Sequence, residues 1–426
     1  MKILVVGSGG REHALVWKLR QGLAEHDIYC APGNAGTARI AQKIPIGSEA
    51  VGELLKWAKD NKPDLTVIGP EAPLCLGLAD MFAEDGLRVF GPCREAARLE
   101  GSKAFAKEVM FAAGVPTAES QTFTDAVKAS DYARSLTGGC VVKADGLAAG
   151  KGVIICTNQH EATDAIELAM VGRAFGEAGS TVLVEELLTG EEASILALVD
   201  GERVVMLASS QDHKRAFDGD TGPNTGGMGA YSPAPVVTEE LWPVIKNEVF
   251  ERTLKELRNR GITYRGILYA GIMVTERGPK VLEFNCRFGD PETQAVLARL
   301  DSDLAEALTA TADGRLSPDM VRWKRDAAVC VVMASGGYPG SYEKGLPIDG
   351  LDEADRIEGT AVFHAGTARD GQRTVTSGGR VLGVTSIGSD LKQAVDRAYR
   401  AVDMIRFEGA HCRRDIAQKA LNRVVS

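Results

Sequence analysis

The first hundred residues alternate short apolar runs with longer amphipathic stretches, and this alternation constrains the fold more than any other feature of the sequence. The apolar runs predict strands, and the amphipathic stretches predict helices between most of them. This order is typical of a doubly wound parallel α/β sheet, which binds ligands at the carboxyl ends of its strands. The predicted strands cover 3–6, 28–31, 65–68 and 87–90, the predicted helices cover 11–21, 49–60 and 74–85, and polar, glycine-rich loops follow three strands at 7–13, 32–37 and 69–73.

The first of these loops looks at first like a dinucleotide-binding loop, but its spacing is wrong. The fingerprint G-x-G-x-x-G requires glycine where this chain has Glu12, and no acidic residue clearly ends the second predicted strand. This argues against a nicotinamide-dependent dehydrogenase. Gly9 and Gly10 open a helix and Arg11 adds a cation, so the loop suits a single phosphate; close packing of strand against helix is the alternative role for the glycines. We expect His13 on a helix face rather than in catalysis.

The segment KVLEFNCRFGDPE, which begins at position 280, predicts a strand with two different faces. Strict alternation places Leu282 and Phe284 on one face and Glu283 and Asn285 on the other. A carboxylate and an amide oxygen on one face suit Mg²⁺, a hard cation that keeps waters and substrate phosphates in its remaining positions. A solvated edge strand is the alternative.

A second glycine-rich segment, KADGLAAGKGV, lies between two apolar runs. It is not a P-loop, because three residues rather than four separate Gly146 from the Gly150-Lys151 pair, and Gly152 stands where Ser or Thr is required. We expect a strand, a flexible loop and a strand, with the loop folding over a triphosphate through its backbone N–H groups and lysines. A plain hairpin is the alternative.

Residues 181–192 predict an apolar strand that runs into a short acidic link at 185–188, before a second strand at 193–199. The link suits a nucleoside, because its backbone can pair with an adenine edge and its carboxylates with ribose hydroxyls. Residues 211–235 mix charges, glycines and aromatic side chains. A segment of this length without secondary structure is usually functional or disordered, so we expect a loop that covers the substrate, with a disordered linker as the alternative.

Domain boundaries are indicated at two places. A helix predicted at 94–113, with Lys103 inside it, ends in the break at 114–117. Beyond residue 325, short strands and an amphipathic helix indicate a smaller α+β domain. Its predicted strands cover 327–333, 361–365 and 380–385, and its predicted helix covers 389–405.

Composition excludes several classes of protein. The formal net charge of -9 and the pI near 5.4 argue against a nucleic-acid-binding surface. Eight cysteines without a C-x-x-C spacing suggest reduced thiols in a cytoplasmic protein rather than a disulfide framework or a zinc site. No apolar run approaches the length that crosses a bilayer, so we expect no membrane association.

Taken together, the motifs resemble the glycinamide ribonucleotide synthetase family of ATP-grasp ligases, whose members join glycine to phosphoribosylamine. The resemblance covers the whole chain and is carried by GSGGREHAL, APGNAGT, GPEAPL, GSKAF, KADGLAAGKGV, QDHKR, DTGPNTGGMGAYSPAP and EFNCRFGDPETQ. It implies that ATP phosphorylates glycine to glycyl phosphate, which the amine of 5-phosphoribosylamine then attacks. ADP, phosphate and glycinamide ribonucleotide are the products, and the implied cofactors are ATP as substrate and Mg²⁺ or Mn²⁺.

The resemblance also implies roles for individual residues. ATP contacts fall on Lys103, Lys143, Gly146, Gly150, Lys151, Gly152, Glu185, Glu186, Leu188 and Glu192. Metal contacts fall on Glu283 and Asn285. Glycine and the acyl phosphate would be surrounded by Asp212, Lys214 and Arg287 as catalytic residues, with Gly226, Gly227, Asp290 and Glu292. The ribose phosphate would be held by Gly10, Arg11, Asn34, Gly36 and Glu71.

The expected fold is therefore an ATP-grasp fold with an amino-terminal doubly wound parallel α/β domain and a small carboxyl-terminal α+β domain. We expect domains at 1–102, 103–325 and 326–426, with 115–190 as a mobile subdomain that covers ATP. A monomer or weak dimer acting on small molecules is expected, without nucleic acid or membrane. Another ATP-grasp carboxylate-amine ligase, acting on a related phosphorylated amine, is the main alternative; a catalytically dead nucleotide-binding module would be expected to lack the metal pair or the lysines.

Overall fold

The computed structural model of the chain describes residues 1–147 and 152–425. Its amino-terminal part is a five-stranded parallel sheet, which confirms the predicted doubly wound architecture. Apolar side chains project from both faces of the first strand, so that Ile3 and Val5 belong to one core cluster and Leu4 and Val6 to another. The strands lie in the order Gln42–Lys43, Asp27–Pro32, Lys2–Gly7, Leu65–Ile68 and Val89–Phe90.

The helices of this part differ in detail from the prediction. The helix expected at 74–85 is two helices, because Gly77 between them adopts a φ of 84°, which ends the first helix. The helices of this part are Gly10–Leu19, Thr37–Ile40, Val51–Asn61, Glu71–Cys75 and Leu78–Glu84.

The helix predicted at 94–113 is also two helices, Arg94–Gly101 and Lys103–Ala113. Ser102 separates them with extended backbone, and its hydroxyl accepts the N–H of Phe105 at 3.1 Å as an N-terminal cap. The expectation that Lys103 lies inside one long helix is therefore wrong. It begins the second helix, beside the cleft described below.

A four-stranded antiparallel sheet follows, and it carries the predicted glycine-rich loop. Its strands lie in the order Ser120–Phe123, Val182–Glu186, Cys140–Ala144 and Val153–Cys156. Helices Ala126–Ser135 and Gln159–Ile166, a π-helical turn Glu167–Val171 and a 3₁₀ turn Gly176–Ser180 cover it. The two predicted strands on either side of the loop are confirmed, and residues 148–151 of the predicted loop lie outside the described residues.

The central antiparallel sheet holds the segment predicted to bind metal. Its strands lie in the order Val204–Met206, Glu191–Asp200, Arg265–Thr275 and Gly278–Asn285. One continuous helical stretch, Leu241–Val244, Ile245–Glu251 and Arg252–Asn259, packs against this sheet. Helices Glu292–Arg299 and Leu304–Ala312 and a 3₁₀ turn Pro318–Met320 follow.

A β-bulge changes the predicted facing of the metal strand. Gly271 pairs with Glu283 and Ile272 with Val281, so Leu282 is the extra residue. Val281 and Phe284 consequently share the core, and Leu282 lines the cleft. The strict alternation predicted for Leu282 and Phe284 is wrong, because the bulge shifts the pattern by one residue.

The carboxyl-terminal sheet is built from two distant parts of the chain. Its antiparallel strands lie in the order Gln211–Asp212, Gly229–Ser232, Ala327–Ala334, Arg380–Gly388 and Thr360–His364. Helix Leu391–Val402 packs on it, and Leu351–Asp355, the hairpin Thr367–Asp370 with Arg373–Thr376, and helix Gln418–Val425 complete this part. The predicted smaller α+β domain is confirmed as an architecture.

The expectation of a loop without secondary structure at 211–235 is wrong. Besides the two strands that join the carboxyl-terminal sheet, the segment contains a hairpin of Arg215–Phe217 and Thr221–Asn224. Met228, Ala230 and Tyr231 are buried, but glycines separate them in sequence, so they give no clear strand pattern. Within the described residues, no helix combines the length and apolar character needed to cross a bilayer.

Candidate active site

A cleft of about 480 Å³ lies where the amino-terminal domain, the loop-bearing sheet, the central sheet and the carboxyl-terminal domain meet. Most of the predicted site residues line it. They are Arg11, Glu71, Lys103, Lys143, Gly146, Gly152, Glu185, Asp212, Lys214, Gly226, Glu283, Asn285, Arg287, Asp290 and Glu292. The predicted residues Gly150 and Lys151 lie outside the described part of the chain.

A larger surface groove, of about 1500 Å³, contains none of the predicted residues. Several of its charged side chains pair with each other, as Lys59 does with Asp85 at 2.8 Å and Arg88 with Asp313 at 2.6 Å. Self-paired surface charges of this kind leave little for a ligand. We therefore place the candidate site in the smaller cleft.

One end of the cleft is organised around the buried carboxylate of Glu185. The Nζ of Lys143 lies 2.9 Å from Glu185 Oε1 and donates to the carbonyl of Leu282 at 3.0 Å. The two residues lie on neighbouring strands of the loop-bearing sheet, whereas Leu282 belongs to the central sheet. This network therefore ties the two sheets together at the cleft.

Lys107 also reaches Glu185 and was not predicted. Its Nζ lies 3.5 Å from Glu185 Oε2 and donates to Thr117 Oγ1 at 2.7 Å and to the carbonyl of Ala118 at 3.0 Å. Burial, together with the nearby charge of Lys143, lowers its pKa to about 8 although Glu185 opposes this. Its position one helical turn after Lys103 was the available signal, since residues four apart share a helix face.

Lys103 completes the lysine-rich end. Its Nζ donates to the carbonyl of Gly146 at 3.0 Å, where the glycine-rich loop leaves its strand. Burial lowers the pKa of Lys103, opposed by the carboxylate of Glu283. Lys103 has no ion-pair partner within 4 Å among the described residues, so its charge is available to an anionic ligand.

Three predicted nucleotide contacts do not line the cleft itself. Glu186 accepts from Lys280 Nζ at 2.6 Å and from the N–H of Glu119 at 3.1 Å. Leu188 lies in the link between the two sheets, and Glu192 pairs with Lys214 at 2.7 Å. Glu186 ends one strand and Glu192 lies in the next, so the two carboxylates flank the link and each is engaged by a lysine.

The middle of the cleft concentrates carboxylates around one ammonium group. The Nζ of Lys214 lies 2.7 Å from a carboxylate oxygen of Glu192 and 3.8 Å from one of Glu283. The carboxylate of Asp212 interacts electrostatically with Lys214 and with the carboxylate of Glu292. Burial raises the pKa of Asp212, and the neighbouring carboxylates add to the effect although Lys214 opposes it. Crowding of this kind raises carboxyl pKa values because like charges repel each other.

The chemistry of this middle region fits a divalent cation. Glu283 and Asn285 both line the cleft and supply oxygen ligands, and the surplus of negative charge around Lys214 is what such a cation would offset. In the described part of the chain, no cluster of three or more His, Cys, Asp or Glu side chains forms a metal cage. Few protein ligands beside substrate phosphates are typical of Mg²⁺ sites.

Glu292 is fixed by two hydroxyl groups that the sequence did not mark. Tyr269 donates to its Oε1 at 3.0 Å and Ser194 at 3.1 Å, and the two hydroxyls lie 2.9 Å apart. Both come from paired strands of the central sheet. Tyrosine and serine at buried strand positions carry no distinctive sequence signal, so they were missed.

Arg287 is held between two carboxylates at the other end of the cleft. Its Nε lies 3.2 Å from Glu71 Oε2, and its second amino group lies 2.9 Å from Glu100 Oε1. Although burial opposes it, Arg287 lowers the pKa of Glu71 to about 2, with help from Arg11. Glu100 was not predicted, and nothing in its local sequence distinguishes it from a helix-surface residue.

Arg11 lies beside this cluster, but its partner is its own neighbour. Its Nε donates to Glu12 at 2.5 Å, and it also donates to the carbonyl of Phe288 at 3.1 Å. The Glu12 side chain fills the space between the first and fourth strand ends, where a β-carbon at Gly7 or Gly69 would collide with it. This explains why the loop does not have dinucleotide spacing.

The carboxyl-terminal domain supplies two further residues. Arg380 donates to the carbonyls of Gly226 and Asp290 and lies 3.4 Å from the Asp290 carboxylate, and Tyr338 accepts the N–H of Gly226 at 3.0 Å. Gly227 packs against Pro291. Neither Arg380 nor Tyr338 was predicted, because each lies far along the chain from the motifs that it contacts.

Three predicted substrate contacts in the amino-terminal domain are engaged by neighbouring protein groups, some of them from other domains. Asn34 donates to the carbonyls of Ser8 and His364 and accepts the N–H groups of Gly36 and Thr37, which leaves it a role in holding its loop. Gly36 packs against the rings of His13 and His364, and Gly10 lies against Gln294. His13 is buried and accepts the N–H of His364 at 2.8 Å.

The chain is similar along nearly its whole length to proteins of one family. Family models described as the N, ATP-grasp (A) and C domains of phosphoribosylglycinamide synthetase match residues 1–100, 101–293 and 328–419. A phosphoribosylamine-glycine ligase of Vibrio cholerae serotype O1 is 50% identical over 426 residues, with 99% of each chain covered. One of Escherichia coli O157:H7 is 49% identical over 427 residues, with the same coverage.

Two solved structures are similar to this chain, one at higher and one at lower sequence identity. The crystal structure of a phosphoribosylamine-glycine ligase from Thermotoga maritima is 34% identical with a TM-score of 0.86, covering 98% of this chain and 100% of that one. The biotin carboxylase domain of a Hydrogenobacter thermophilus 2-oxoglutarate carboxylase, a complex with MgADP, ADP and bicarbonate, is 19% identical with a TM-score of 0.71. It covers 96% of this chain and 91% of that chain, and this likeness shows the fold alone.

Proposed function

Since the chain belongs to the phosphoribosylglycinamide synthetase family, we propose that it joins glycine to 5-phosphoribosylamine at the expense of ATP. The products are glycinamide ribonucleotide, ADP and phosphate, a step of purine biosynthesis. One observation carries the proposal: a single cleft joins a lysine-rich end, a carboxylate-rich middle and an arginine-rich end. These suit a triphosphate, a metal-assisted transfer and a phosphorylated amine.

The lysine-rich end is assigned to ATP. Lys103 and Lys143 meet its phosphates, and Gly146 and Gly152 bring backbone N–H groups over them. Glu185, Glu186 and Leu188 border the adenine and Glu192 the ribose, while Leu282 packs beside the base. The expected contacts of Gly150 and Lys151 belong to the same proposal.

A divalent metal is assigned to Glu283 and Asn285, with Mg²⁺ or Mn²⁺ as the ion. Bound there, the ion neutralises charge on the phosphates and so lowers the barrier to phosphoryl transfer. Lys214 supplies the nearest ammonium group to the transferred phosphoryl, since it lies between Glu192 and Glu283. The carboxylate of Asp212 acts electrostatically on the same ammonium group.

The chemistry requires a leaving group, because an ionised carboxylate is a poor electrophile. The glycine carboxylate attacks the γ-phosphorus of ATP, ADP leaves, and glycyl phosphate forms. The amine nitrogen of phosphoribosylamine then attacks the acyl carbon and phosphate leaves. The protein needs no nucleophile of its own; it positions the partners and neutralises charge, with Arg287 placed to stabilise the acyl phosphate.

The arginine-rich end is assigned to the substrates. Glu292, Asp290, Gly226 and Gly227 surround glycine, and the ribose phosphate is gripped by Arg11 at its phosphate and by Glu71 at its hydroxyl groups. Gly10, Asn34 and Gly36 act on that grip through the loops that they hold. The domain limits proposed are 1–102, 103–325 and 326–426, with 115–190 moving over ATP.

We further propose a monomer or weak dimer in the cytoplasm, acting on small molecules and not on nucleic acid. The free state of all eight cysteines and the acidic net charge support this. Light scattering of the purified protein tests the assembly state.

The test of function measures ADP release with ATP, glycine and freshly generated phosphoribosylamine, omitting each in turn. Full release is expected only when all three are present. Release that follows a different carboxylic acid or phosphorylated amine, with none for this pair, assigns the chain to another ATP-grasp ligase activity. No release with any pair rejects a ligase.

A further inference from the structure

Both carboxylate oxygens of Glu100 are committed within the protein, one to a side chain and one to a backbone N–H. Its Oε1 lies 2.9 Å from the second amino group of Arg287, and its Oε2 accepts the backbone N–H of Cys286 at 2.7 Å. Cys286 lies between Asn285 and Arg287 in sequence. A single side chain therefore fixes the segment that connects a proposed metal ligand to the proposed catalytic arginine.

The second carboxylate on Arg287 is less able to act as a permanent anchor. The side chain of Glu71 is 33% exposed and faces the cleft, whereas that of Glu100 is 7% exposed. Glu71 is also assigned to substrate, whereas both oxygens of Glu100 are engaged by the protein.

The position of Glu100 is unfavourable for its own helix. It lies in the last turn of Arg94–Gly101, where the helix dipole disfavours a negative charge. Burial also raises the pKa of Glu100, opposed by Arg287. A carboxylate at this position does not stabilise its helix. We therefore attribute its presence to the contacts with Arg287 and Cys286.

We propose that Glu100 is a positioning residue for ligation, which orients Arg287 and aligns it with Asn285 through the backbone at Cys286. The inference rests on the proposed function for the identity of the reaction. A glutamine side chain at this position has one acceptor oxygen and one donor NH₂ group, but its two partners, the guanidinium of Arg287 and the N–H of Cys286, are both donors. One of the two contacts is therefore lost. A misplacement of about 1 Å at a reacting centre lowers rates by up to about a hundredfold.

The experiment compares Glu100→Gln with Glu95→Gln, a matched change in the first turn of the same helix at an exposed pair with Arg98. Glu100→Gln is expected to lower kcat ten- to a hundredfold while the KM for ATP stays within threefold. Glu95→Gln is expected to match wild type in both. A kcat within threefold of wild type in folded Glu100→Gln overturns the proposal.

A double-mutant cycle separates positioning from a merely structural role. If Glu100 acts through Arg287, Glu100→Gln in an Arg287→Lys background changes kcat by less than threefold, because the guanidinium it orients is gone. Effects that multiply in the double variant overturn the proposal. Should Glu100→Gln fail to fold, Glu100→Asp keeps the charge and withdraws it by one methylene, and wild-type kcat in that variant is equally contrary.

Measuring the wild-type enzyme in the same assay distinguishes a failure of the proposed function from a failure of the proposed role of Glu100. Absence of ADP release dependent on glycine and phosphoribosylamine in wild type rejects the proposed reaction, whatever Glu100 does. Where wild type is active, only the ratios of variant to wild type judge Glu100.

Discussion

Both ends of the cleft are proposed to bind a phosphate, but their charged side chains are arranged in opposite ways. At the lysine-rich end, Lys107 and Lys143 share the single buried carboxylate of Glu185, and Lys103 donates only to a carbonyl. At the arginine-rich end every cation has its own acidic partner: Glu12 for Arg11, Glu71 and Glu100 for Arg287, and Asp290 for Arg380. The first end carries surplus positive charge, and the second is nearly neutral.

This contrast in charge indicates which ligand each end suits. A triphosphate brings several negative charges at once, and clustered lysines are flexible point charges that accommodate it. A phosphorylated amine brings one phosphate and a nucleophilic nitrogen, so its site needs directed hydrogen bonds more than net charge, which the planar guanidinium supplies. Paired arginines are also pre-oriented. The following changes test this division.

The largest effect is expected where the two ends meet, at the proposed metal. Glu283→Gln is nearly isosteric but removes a charged ligand, so kcat for ADP release should fall roughly 100- to 1000-fold. Higher Mg²⁺ should recover part of the loss. The matched control is Glu276→Gln in the exposed turn of the same hairpin, which should behave as wild type. Full activity of Glu283→Gln would sink the metal assignment.

At the lysine-rich end, Lys143→Met should lower kcat/KM for ATP by roughly a hundredfold, since a charge-assisted contact with phosphate is lost. It should also lower the free energy of unfolding by up to about 3 kcal/mol, because Glu185 keeps only Lys107. Urea unfolding and ATP titration measure the two losses. The double variant Lys143→Met with Glu185→Gln should regain stability without regaining ATP affinity; recovery of both would mean that Lys143 is purely structural.

At the arginine-rich end, Arg11→Ala should cost about 1.5–3 kcal/mol, which is roughly ten- to a hundredfold in kcat/KM for phosphoribosylamine. ATP affinity should hardly change, because the nucleotide contacts come from other segments. Arg39→Ala, which removes an exposed arginine of the same domain that pairs with Asp352, is the control. Equal losses for both substrates, with an intact circular dichroism spectrum, would break the division between the two ends.

How far the sequence predicted this arrangement depended on the range of the contacts. The central strands Lys2–Gly7 and Leu65–Ile68 were predictable because each is a continuous apolar run that is largely buried, whereas the edge strand Gln42–Lys43 was not predicted because both of its residues are polar and exposed. The strand Gly229–Ser232 was not, because its partner Val331 lies about a hundred residues away and glycines interrupt its apolar positions. Short periodic patterns report local structure and say nothing about such distant pairing.

The residues of the candidate site were likewise predictable only where a local sequence pattern marked them. Glu283 and Asn285 were marked by two-residue spacing, and Lys103 by a recognisable local motif. Arg380 and Glu100 were missed, since they meet Asp290 and Arg287 only after separate parts of the chain pack together. Residues that position others carry no motif of their own, so only the folded structure identifies them.

The smallest expected effect concerns Lys107 and the crowding of cations before ATP binds. Burial beside Lys143 lowers the pKa of Lys107 to about 8, whereas an unfolded lysine titrates near 10.4. Between these values the unfolded chain binds more protons than the folded one, so stability should rise with pH from about 8 to 10.4 and stay flat below 8 with respect to this group. The gain should be on the order of 1–3 kcal/mol.

Urea unfolding without nucleotide at pH 7.5, 8.5 and 9.5 measures this gain as the difference between wild type and Lys107→Met, which cancels the titration of other groups. Wild type should gain on the variant as pH rises. Parallel curves would mean that Lys107 keeps an ordinary pKa, because Glu185 offsets the cost of burying it beside Lys143. The surplus positive charge of the lysine-rich end would then carry no cost in stability, and the crowding of cations before ATP binds would no longer distinguish the two ends.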